Sequence, residues 1–312
     1  MQAVTRSALA VGGLGAATLG WSTLVERNWY ALREVTVPVL PEGAQPLRVL
    51  HLSDLHLVPR QARRIAWVQD LARLNPDFVV NTGDNCSDPD AIPSVLKTMA
   101  PLMDFPGAYV LGSNDYFAPA PRNPLRYFNQ RHRRADEMGQ KTLPWRDLVR
   151  GFDAGGWTNL TQARTRVRVG ELDLDLVGVD DPHLKYDDYS AVSAPAATDA
   201  DLTVGVVHAP YLRVLDAMTA DGASLVIAGH THGGQICVPG YGALVTNCDL
   251  GTDRVKGLSR WWPGADNAPS AQAPDDAAWL HVSAGLGHNK YTPIRLACRP
   301  EATLMTLVPA SR

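Results

Sequence analysis

The chain alternates short apolar runs with helix-like segments, and a polar cluster follows most of the runs directly. The runs that are typical of buried strands are Leu47–Leu52, Phe78–Asn81, residues 108–111, Leu202–Val207 and Leu225–Ala228. Amphipathic segments at residues 61–74, 92–103 and 210–219 are typical of helices. Strand and helix alternation of this kind predicts a layered α/β fold.

The rest of the sequence extends this prediction to one domain. Residues 165–179 alternate with period two around Gly170, which predicts a hairpin, and residues 280–283 and 302–307 supply further strands. A chain of 312 residues is long enough for one large core. The formal net charge of −3 gives no overall attraction for nucleic acid, so we expect no nucleic-acid partner.

Histidines and carboxylates recur in the polar clusters that follow the predicted strands. The candidates are Asp54 and His56 after the first strand, Asp84 after the second, Asn114 after the third, His208 after the fourth, and His230 and His232 after the fifth. In extended chain, side chains two residues apart point the same way, which predicts that Asp54 and His56 reach one ion together. Because parallel strands end at the same sheet edge, we expect all these side chains to meet there.

The residue types predict a divalent metal centre. Carboxylate and imidazole ligands suit manganese, iron or zinc, and the clusters contain no pair of cysteines typical of a structural zinc site. Two ions about 3.5–4 Å apart can clamp a phosphate and turn a water into a nucleophile. Cys86, Cys237, Cys248 and Cys298 are widely spaced, and we expect buried thiols without a role in the site.

The motifs DLH, GDN, GSND, VVHAP and GHTHGG, in this order, resemble the signature of the calcineurin-like metallophosphoesterases. GVDDPH, VSAGLG and CRPEATLMTL further resemble a bacterial membrane-associated branch, which includes phosphodiesterases and UDP-diacylglucosamine pyrophosphate hydrolases. The resemblance runs from about Leu47 to the end of the chain. It implies a four-layer α/β/β/α sandwich over residues 46–312 with two metal ions at its edge.

The resemblance also implies a role for each candidate ligand. Asp54, His56 and His232 would hold the first metal, His208 and His230 the second, and Asp84 would bridge both. The third motif departs from the family pattern G-N-H-D/E, because Ser113 stands at the Asn position and Asn114 at the His position. Either Asn114 serves as a ligand of the second metal, or Ser113 replaces that ligand.

The same departure removes the usual general acid, a loss often worth about 10²–10⁴ in rate. His183, in the segment GVDDPH, is the best substitute, although a loop histidine that caps local backbone is an equal alternative. Asp84, Asn114 and His183 are therefore the candidate catalytic residues.

Residues 1–30 differ from the rest of the chain. Residues 7–25 carry no charge, and 19 such residues are just long enough to cross a bilayer. No small-x-small cleavage site follows, which predicts a retained single-pass anchor with the catalytic domain outside the cytoplasm. The alternative is a helix that packs on the domain.

Residues 119–144 form a basic insertion directly after the GSND loop. Five arginines and Lys141 face only two acidic residues, and Tyr127 and Phe128 lie among them. Because guanidinium groups bind phosphate well, we predict a lid over the metals, with a solvated basic hairpin as the alternative.

The sequence thus predicts a metal-dependent hydrolase of phosphoester or pyrophosphate bonds. The anchor and the basic, aromatic insertion favour a membrane-associated phospholipid or sugar-lipid substrate. A nucleotide or cyclic-nucleotide phosphodiesterase is one alternative, and a non-catalytic metal-binding scaffold is another, because of the altered third motif.

Overall fold

The structure is a computed structural model that describes residues 12–121, 141–266 and 268–310. In these ranges the strands are β1 Ala31–Leu40, β2 Leu47–Leu52, β3 Phe78–Asn81, β4 Gly107–Tyr109, β5 Thr158–Asn159, β6 Ala163–Val169, β7 Leu172–Gly178, β8 Leu202–Val207, β9 Leu225–Ala228, β10 Cys237–Val238, β11 Gly242–Ala243, β12 Gly257–Trp261, β13 Ala278–Val282 and β14 Glu301–Pro309. The helices are α1 at 12–20, α2 Ala62–Asp70, α3 Ile92–Met99, α4 Ser113–Tyr116, α5 Trp145–Ala154 and α6 Leu212–Ala220.

Two mixed six-stranded sheets form the centre of the molecule. The first has the order β1-β14-β2-β3-β4-β5, and the second has the order β12-β13-β9-β8-β7-β6. Strands β2, β3 and β4 are parallel neighbours, as are β13, β9 and β8. The carboxyl ends of each parallel set therefore lie at one edge of their sheet.

Apolar side chains on both faces of the strands hold the layers together. Val49, Phe78 and Val80 belong to the core between the two sheets, whereas Leu50 and Val79 belong to the core beneath the helices of the first sheet. Because successive side chains enter two different buried cores, β2 and β3 are rich in apolar residues instead of alternating between apolar and polar ones.

The outer helices cover the remaining sheet faces. Residues of α2, α3 and α5 pack in the core that also holds Leu50 and Val79, and α6 packs on the second sheet through Val214 and Leu215. These layers confirm the predicted α/β class and are consistent with the fold that the resemblance implies.

The predicted strands and helices are present with small changes at their ends. The helix predicted at 61–74 is α2 followed by a 3-10 turn at Leu71–Leu74, and the predicted hairpin is β6–β7 with Gly170 in the left-handed region at its turn. All four cysteines are buried free thiols, as predicted.

Strand β1 was not predicted from the sequence. It pairs in parallel with the C-terminal strand β14 from Ala31 to Leu40, so residues that follow the apolar N-terminus form the edge of the first sheet. The alternation of apolar and polar residues in β1 is interrupted by Arg33, Glu34 and Pro38. The edge position tolerates the proline because one side of the strand has no neighbouring strand.

The N-terminal segment contacts the domain through its last turns. Ser22 and Glu26 are buried, the Ser22 carbonyl accepts the Arg295 N–H at 3.1 Å, and Glu26 Oε1 accepts the Cys298 N–H at 2.7 Å. None of the helices in the described ranges has the length and apolarity that crossing a bilayer requires. Residues 7–11 of the predicted anchor and residues 122–140 of the predicted lid lie outside those ranges.

Candidate metal centre

The predicted site residues meet where the carboxyl ends of the parallel strands of both sheets converge. Most of them are buried, and Asn114 and His232 are partly exposed. The side chains that follow β2, β3, β4, β8 and β9 are, in this order, Asp54 with His56, Asp84, Asn114, His208, and His230 with His232.

Five of these residues have a backbone that L-amino acids seldom adopt. The φ angles are positive at Asp54 (51°), His56 (42°), Asp84 (55°), His230 (69°) and His232 (51°). The expectation that extended chain brings Asp54 and His56 together was therefore wrong, since β2 ends at Leu52 and left-handed turns direct the two side chains. Such a conformation costs about 1–3 kcal/mol per residue and clusters at functional sites.

The first cluster combines one carboxylate with two imidazoles. Asp54 Oδ1 lies 3.5 Å from His232 Nε2 and 3.9 Å from His56 Nε2, and the two imidazole nitrogens are 3.1 Å apart. The three ligand atoms form a group that could hold one ion.

The second cluster shares Asp54 with the first. Asp84 Oδ1 lies 3.4 Å from His208 Nε2, while Asp84 Oδ2 lies 3.4 Å from His56 Nε2. Asp54, Asp84 and His208 form a second group of suitable size. His230 Nδ1 lies 3.2 Å from His208 Nε2, so it adds a second imidazole to this group.

Asp54 provides the test of whether these residues fit a cation. Its Oδ2 accepts hydrogen bonds from Ser53 Oγ at 2.5 Å and from the His230 N–H at 3.0 Å. Its Oδ1 is fully buried without a hydrogen-bond partner in the described part of the chain. A buried carboxylate oxygen is unfavourable unless something neutralises it, and a divalent ion between Asp54, His56 and His232 would do so.

Hydrogen bonds from the outer ring nitrogens turn the histidines toward the cluster. His208 Nδ1 lies 2.6 Å from the Thr82 carbonyl, and His56 Nδ1 lies 3.0 Å from Ser87 Oγ, so Nε2 of each faces inward. The His230 ring has the opposite orientation, because its Nε2 lies 3.1 Å from the Asn247 carbonyl and its Nδ1 faces the cluster. Contacts of this kind fix the tautomer of a metal-binding histidine.

The cluster is electrostatically polarised. Burial alone would raise the pKa of Asp84, but the imidazoles of His208 and His56 outweigh burial and hold this pKa below its usual range. Burial lowers the pKa of His56 to about 4, and the pKa values of His230 and His232 also fall well below the usual value because of burial. Three imidazoles are therefore neutral at pH 7, which is the form that binds metals.

The altered third motif places Asn114 directly on the Asp84 carboxylate. The Asn114 backbone N–H donates to Asp84 Oδ1 at 2.7 Å, and its side-chain amide donates to Asp84 Oδ2 at 2.8 Å. Ser113 and Asn114 both line the cleft that opens above the cluster. The two alternatives for this motif thus remain, with Asn114 the nearer of the two to Asp84.

Asp115 has a role that the sequence analysis did not assign. Its buried carboxylate accepts the backbone N–H groups of Gly112 (3.0 Å), Asp84 (2.9 Å) and Asn85 (2.8 Å). It therefore ties the loop after β4 to the loop after β3 and fixes the left-handed turn at Asp84. The capping pattern G-x-x-D at the start of α4 is the signal that could have identified it.

Arg295 is a second residue that the sequence did not reveal. It is fully buried and donates to the carbonyls of Ala284 (2.8 Å) and Gly287 (2.6 Å), and its Nη2 lies 3.3 Å from His232 Nδ1. It links the loop after β13 to the His232 loop. No local pattern distinguishes such an arginine from a surface one.

His183 lines the same cleft as Asp84 and Asn114. Its ring lies 4.5 Å from the His230 ring between centroids, and its Nδ1 is 3.1 Å from the Tyr211 hydroxyl. Asp181 accepts the His183 N–H at 2.8 Å and so shapes the turn that carries it. His183 thus lies in the same cleft as the cluster, and its role as the substitute acid stays a prediction.

The calcineurin-like phosphoesterase family matches residues 47–234, which is more than half of the chain and includes every candidate ligand. This chain belongs to that family. An uncharacterized metallophosphoesterase of Bacillus subtilis, YkuE, is 24% identical over 318 residues, which cover 96% of this chain and 93% of the relative.

A zebrafish (Danio rerio) relative is named a transmembrane protein with metallophosphoesterase domain. It is 28% identical over 216 residues, which cover 65% of this chain and 44% of the relative. Among solved structures, TT1561 of Thermus thermophilus is similar with a TM-score of 0.40 and 12% identity, over 78% of this chain and 91% of that one. As a calcineurin-like phosphoesterase, the protein is a phosphoric ester hydrolase with Asp and His clusters that could bind metal.

Proposed function

We propose that this calcineurin-like phosphoesterase hydrolyses phosphoester or pyrophosphate bonds with two divalent ions held by the two clusters. Asp54, His56 and His232 would hold the first ion, and His208 and His230 the second, with Asp84 between them. The single observation that carries the proposal is the buried Asp54 Oδ1, which faces two neutral imidazoles without a hydrogen-bond partner in the described ranges.

When bound, divalent ions supply charge to neutralise a phosphate and activate a water for attack. The protein's own residues prepare the site for this chemistry. Asn114 donates to the Asp84 carboxylate and Asp115 accepts the Asp84 backbone N–H, while Ser53 and the His230 N–H donate to Asp54. Groups held in this way need little rearrangement when the substrate arrives.

The test is hydrolysis of a bis-aryl phosphodiester during titration with manganese, iron or zinc, together with metal analysis of the purified protein. Asp84→Ala should lose hydrolysis and metal content together, because Asp84 contacts candidate ligands of both ions. Asp104→Ala is the matched control, because Asp104 is an exposed aspartate that precedes the first residue of β4, whereas the cluster lies after the last residue of that strand. Full activity and metal content in Asp84→Ala would contradict the proposal.

We further propose that His183 donates the proton to the leaving group in place of the missing family histidine. Support comes from its place in the cleft that Asn114 also lines, where its ring lies 4.5 Å from the His230 ring between centroids and its Nδ1 lies 3.1 Å from the Tyr211 hydroxyl. His183→Asn should slow alkyl esters far more than aryl esters, whose leaving groups need little protonation. Equal losses on both would contradict this role.

A membrane-associated substrate, such as a phospholipid or sugar-lipid, is the proposed substrate class, with the N-terminus as a single-pass anchor and the catalytic domain outside the cytoplasm. In the described part of the N-terminus, Leu14, Leu19 and Leu24 are 56–70% exposed. The hairpin β10–β11, which directly follows the His232 loop, also presents Val238 and Tyr241 to solvent. Exposed apolar side chains on these two elements support the proposal that the protein binds a lipid surface beside the cleft.

A substrate screen separates this class from the nucleotide alternative. Lipid-linked phosphates in vesicles, nucleotides and cyclic nucleotides, and sugar phosphates should be compared with manganese present. We expect the highest kcat/KM on a lipid-linked substrate. Preference for a nucleotide would contradict the proposed substrate class but would leave the metal-dependent hydrolysis intact.

A further inference from the structure

Two buried histidines outside the metal cluster connect to it through hydroxyl groups. His281 lies on β13 of the second sheet and His51 on β2 of the first, and both are fully buried. Their Nδ1 atoms are 3.1 Å apart, so one hydrogen bond joins the two sheets.

The contacts continue without a gap to a candidate metal ligand. His51 Nε2 lies 2.9 Å from Thr82 Oγ1, Thr82 Oγ1 lies 2.7 Å from Ser53 Oγ, and Ser53 Oγ lies 2.5 Å from Asp54 Oδ2. We call these five side chains the Asp54 chain; its members are His281, His51, Thr82, Ser53 and Asp54.

The direction of every hydrogen bond in the Asp54 chain follows from Asp54. An ionised carboxylate only accepts hydrogen bonds, so the Ser53 hydroxyl donates its one hydrogen to Asp54. Ser53 Oγ must therefore accept the hydrogen bond from the Thr82 hydroxyl. Because Thr82 then donates its one hydroxyl hydrogen to Ser53, Thr82 Oγ1 must accept a hydrogen bond from His51. His51 therefore carries its hydrogen on Nε2.

The remaining step fixes the tautomer of the second histidine. A neutral His51 with hydrogen on Nε2 has a bare Nδ1, which must accept from His281 Nδ1–H. Burial lowers the pKa of both rings, that of His281 to about 4, so both are neutral as this assignment requires.

We propose that His51 and His281 are positioning residues, which act through Thr82 and Ser53 to hold Asp54 with its Oδ1 turned toward the metal. Aligned hydrogen bonds in a buried chain polarise one another, so the far end strengthens the Ser53 contact. Space is tight at that contact, because a Cβ on Gly229 would lie 1.8 Å from Ser53 Oγ. The proposal rests on the proposed role of Asp54 as a ligand.

The first test is made on the metal-free protein. Nitrogen-15 NMR of the imidazoles reports which ring nitrogen carries hydrogen, and we expect Nε2–H for His51 and Nδ1–H for His281. The opposite tautomer on either ring, or a charged ring, would overturn the assigned direction. This measurement needs no variant and does not depend on the proposed function.

The second test interrupts the chain with the isosteric Thr82→Val and measures manganese binding by calorimetry. Outer contacts to metal ligands are worth about 10–100-fold in affinity, so we expect a loss of at least about 10-fold at one site. The Thr82 carbonyl, which orients His208, is retained. Thr82→Ser restores the hydroxyl and should restore the affinity.

Thr303→Val is the matched control. Thr303 is buried on β14 opposite His51, and its hydroxyl has no hydrogen-bond partner in the described ranges. If Thr82→Val and Thr303→Val bind manganese equally, the Asp54 chain only stabilises the fold and the proposal fails. If wild-type protein binds no manganese, the proposed metal centre fails instead, and the two results are distinct.

Discussion

Replacing Asp54 with asparagine should have opposite effects on the metal-free and metal-bound protein. Asp54 Oδ1 is a buried carboxylate oxygen with no hydrogen-bond partner in the described chain, so in the absence of metal its charge opposes folding. The amide that Asp54→Asn introduces would keep the contacts of Oδ2 and place a neutral NH₂ beside His232. The metal-free variant should therefore be at least as stable as metal-free wild type.

The metal-bound comparison gives the magnitude. One ion at a free concentration 100 times its Kd stabilises the folded state by about 2.7 kcal/mol. Unfolding entropy is about 2.1 cal/mol/K per residue, hence about 0.66 kcal/mol/K for 312 residues. Each occupied site should thus raise the wild-type Tm by about 4 °C, and Asp54→Asn should lose at least one such increment.

The assay is thermal unfolding in excess chelator and in excess manganese, with Asp104→Asn as the exposed control. Either of two results would contradict the unfavourable charge of Asp54 in the metal-free protein or its contact with the ion. One is an unchanged manganese-induced shift in Asp54→Asn. The other is a metal-free Asp54→Asn that unfolds several degrees below metal-free wild type.

Three further predictions concern the third motif, its support and the N-terminus. In the His183→Asn background, kcat/KM should fall steeply as the leaving-group pKa rises, and adding Ser113→Asn with Asn114→His should raise kcat/KM on alkyl esters more than on aryl esters. Equal gains on both ester types would contradict the interpretation that Asn114 stands where the family has its proton donor. Asp115→Asn replaces one accepting oxygen with an NH₂ donor that faces backbone N–H groups. The free energy of unfolding, measured with urea, should therefore fall by about 1–3 kcal/mol. An unchanged unfolding midpoint would contradict the role assigned to Asp115. Full-length protein should sediment with membranes, and removal of residues 1–18 should release an active domain. Removal of residues 1–30 should also destabilise that domain, because the contacts of Ser22 and Glu26 are lost. Full-length protein that stays in the soluble fraction would contradict the anchor.

The sequence predicted the central strands well because both of their faces are buried. Most residues of Leu47–Leu52, Phe78–Asn81, Leu202–Val207 and Leu225–Ala228 are apolar, and the structure has strands with these bounds. An edge strand lacks that signal. Strand β1 contains charged residues and Pro38, since one side of it faces solvent.

The candidate site was predictable in its residues but not in its local geometry. Potential ligand types after strand ends pointed to six side chains that the structure brings together, namely Asp54, His56, Asp84, His208, His230 and His232. The left-handed backbone at Asp54 and His56 was not predictable, because non-glycine residues seldom adopt it and its stability depends on contacts with distant loops. Arg295 contacts the His232 loop, which is far away in sequence, so no local motif marks it.

The left-handed backbone at the proposed ligand positions also decides how this centre should be mutated. Alanine there removes the ligand but keeps a Cβ in a conformation that costs about 1–2 kcal/mol, whereas glycine removes both. At Asp84 and His230, glycine variants should therefore be more stable than alanine variants, the reverse of the order in helices and strands. A paired glycine and alanine scan would separate loss of a metal ligand from backbone strain, which alanine scanning alone merges into one number.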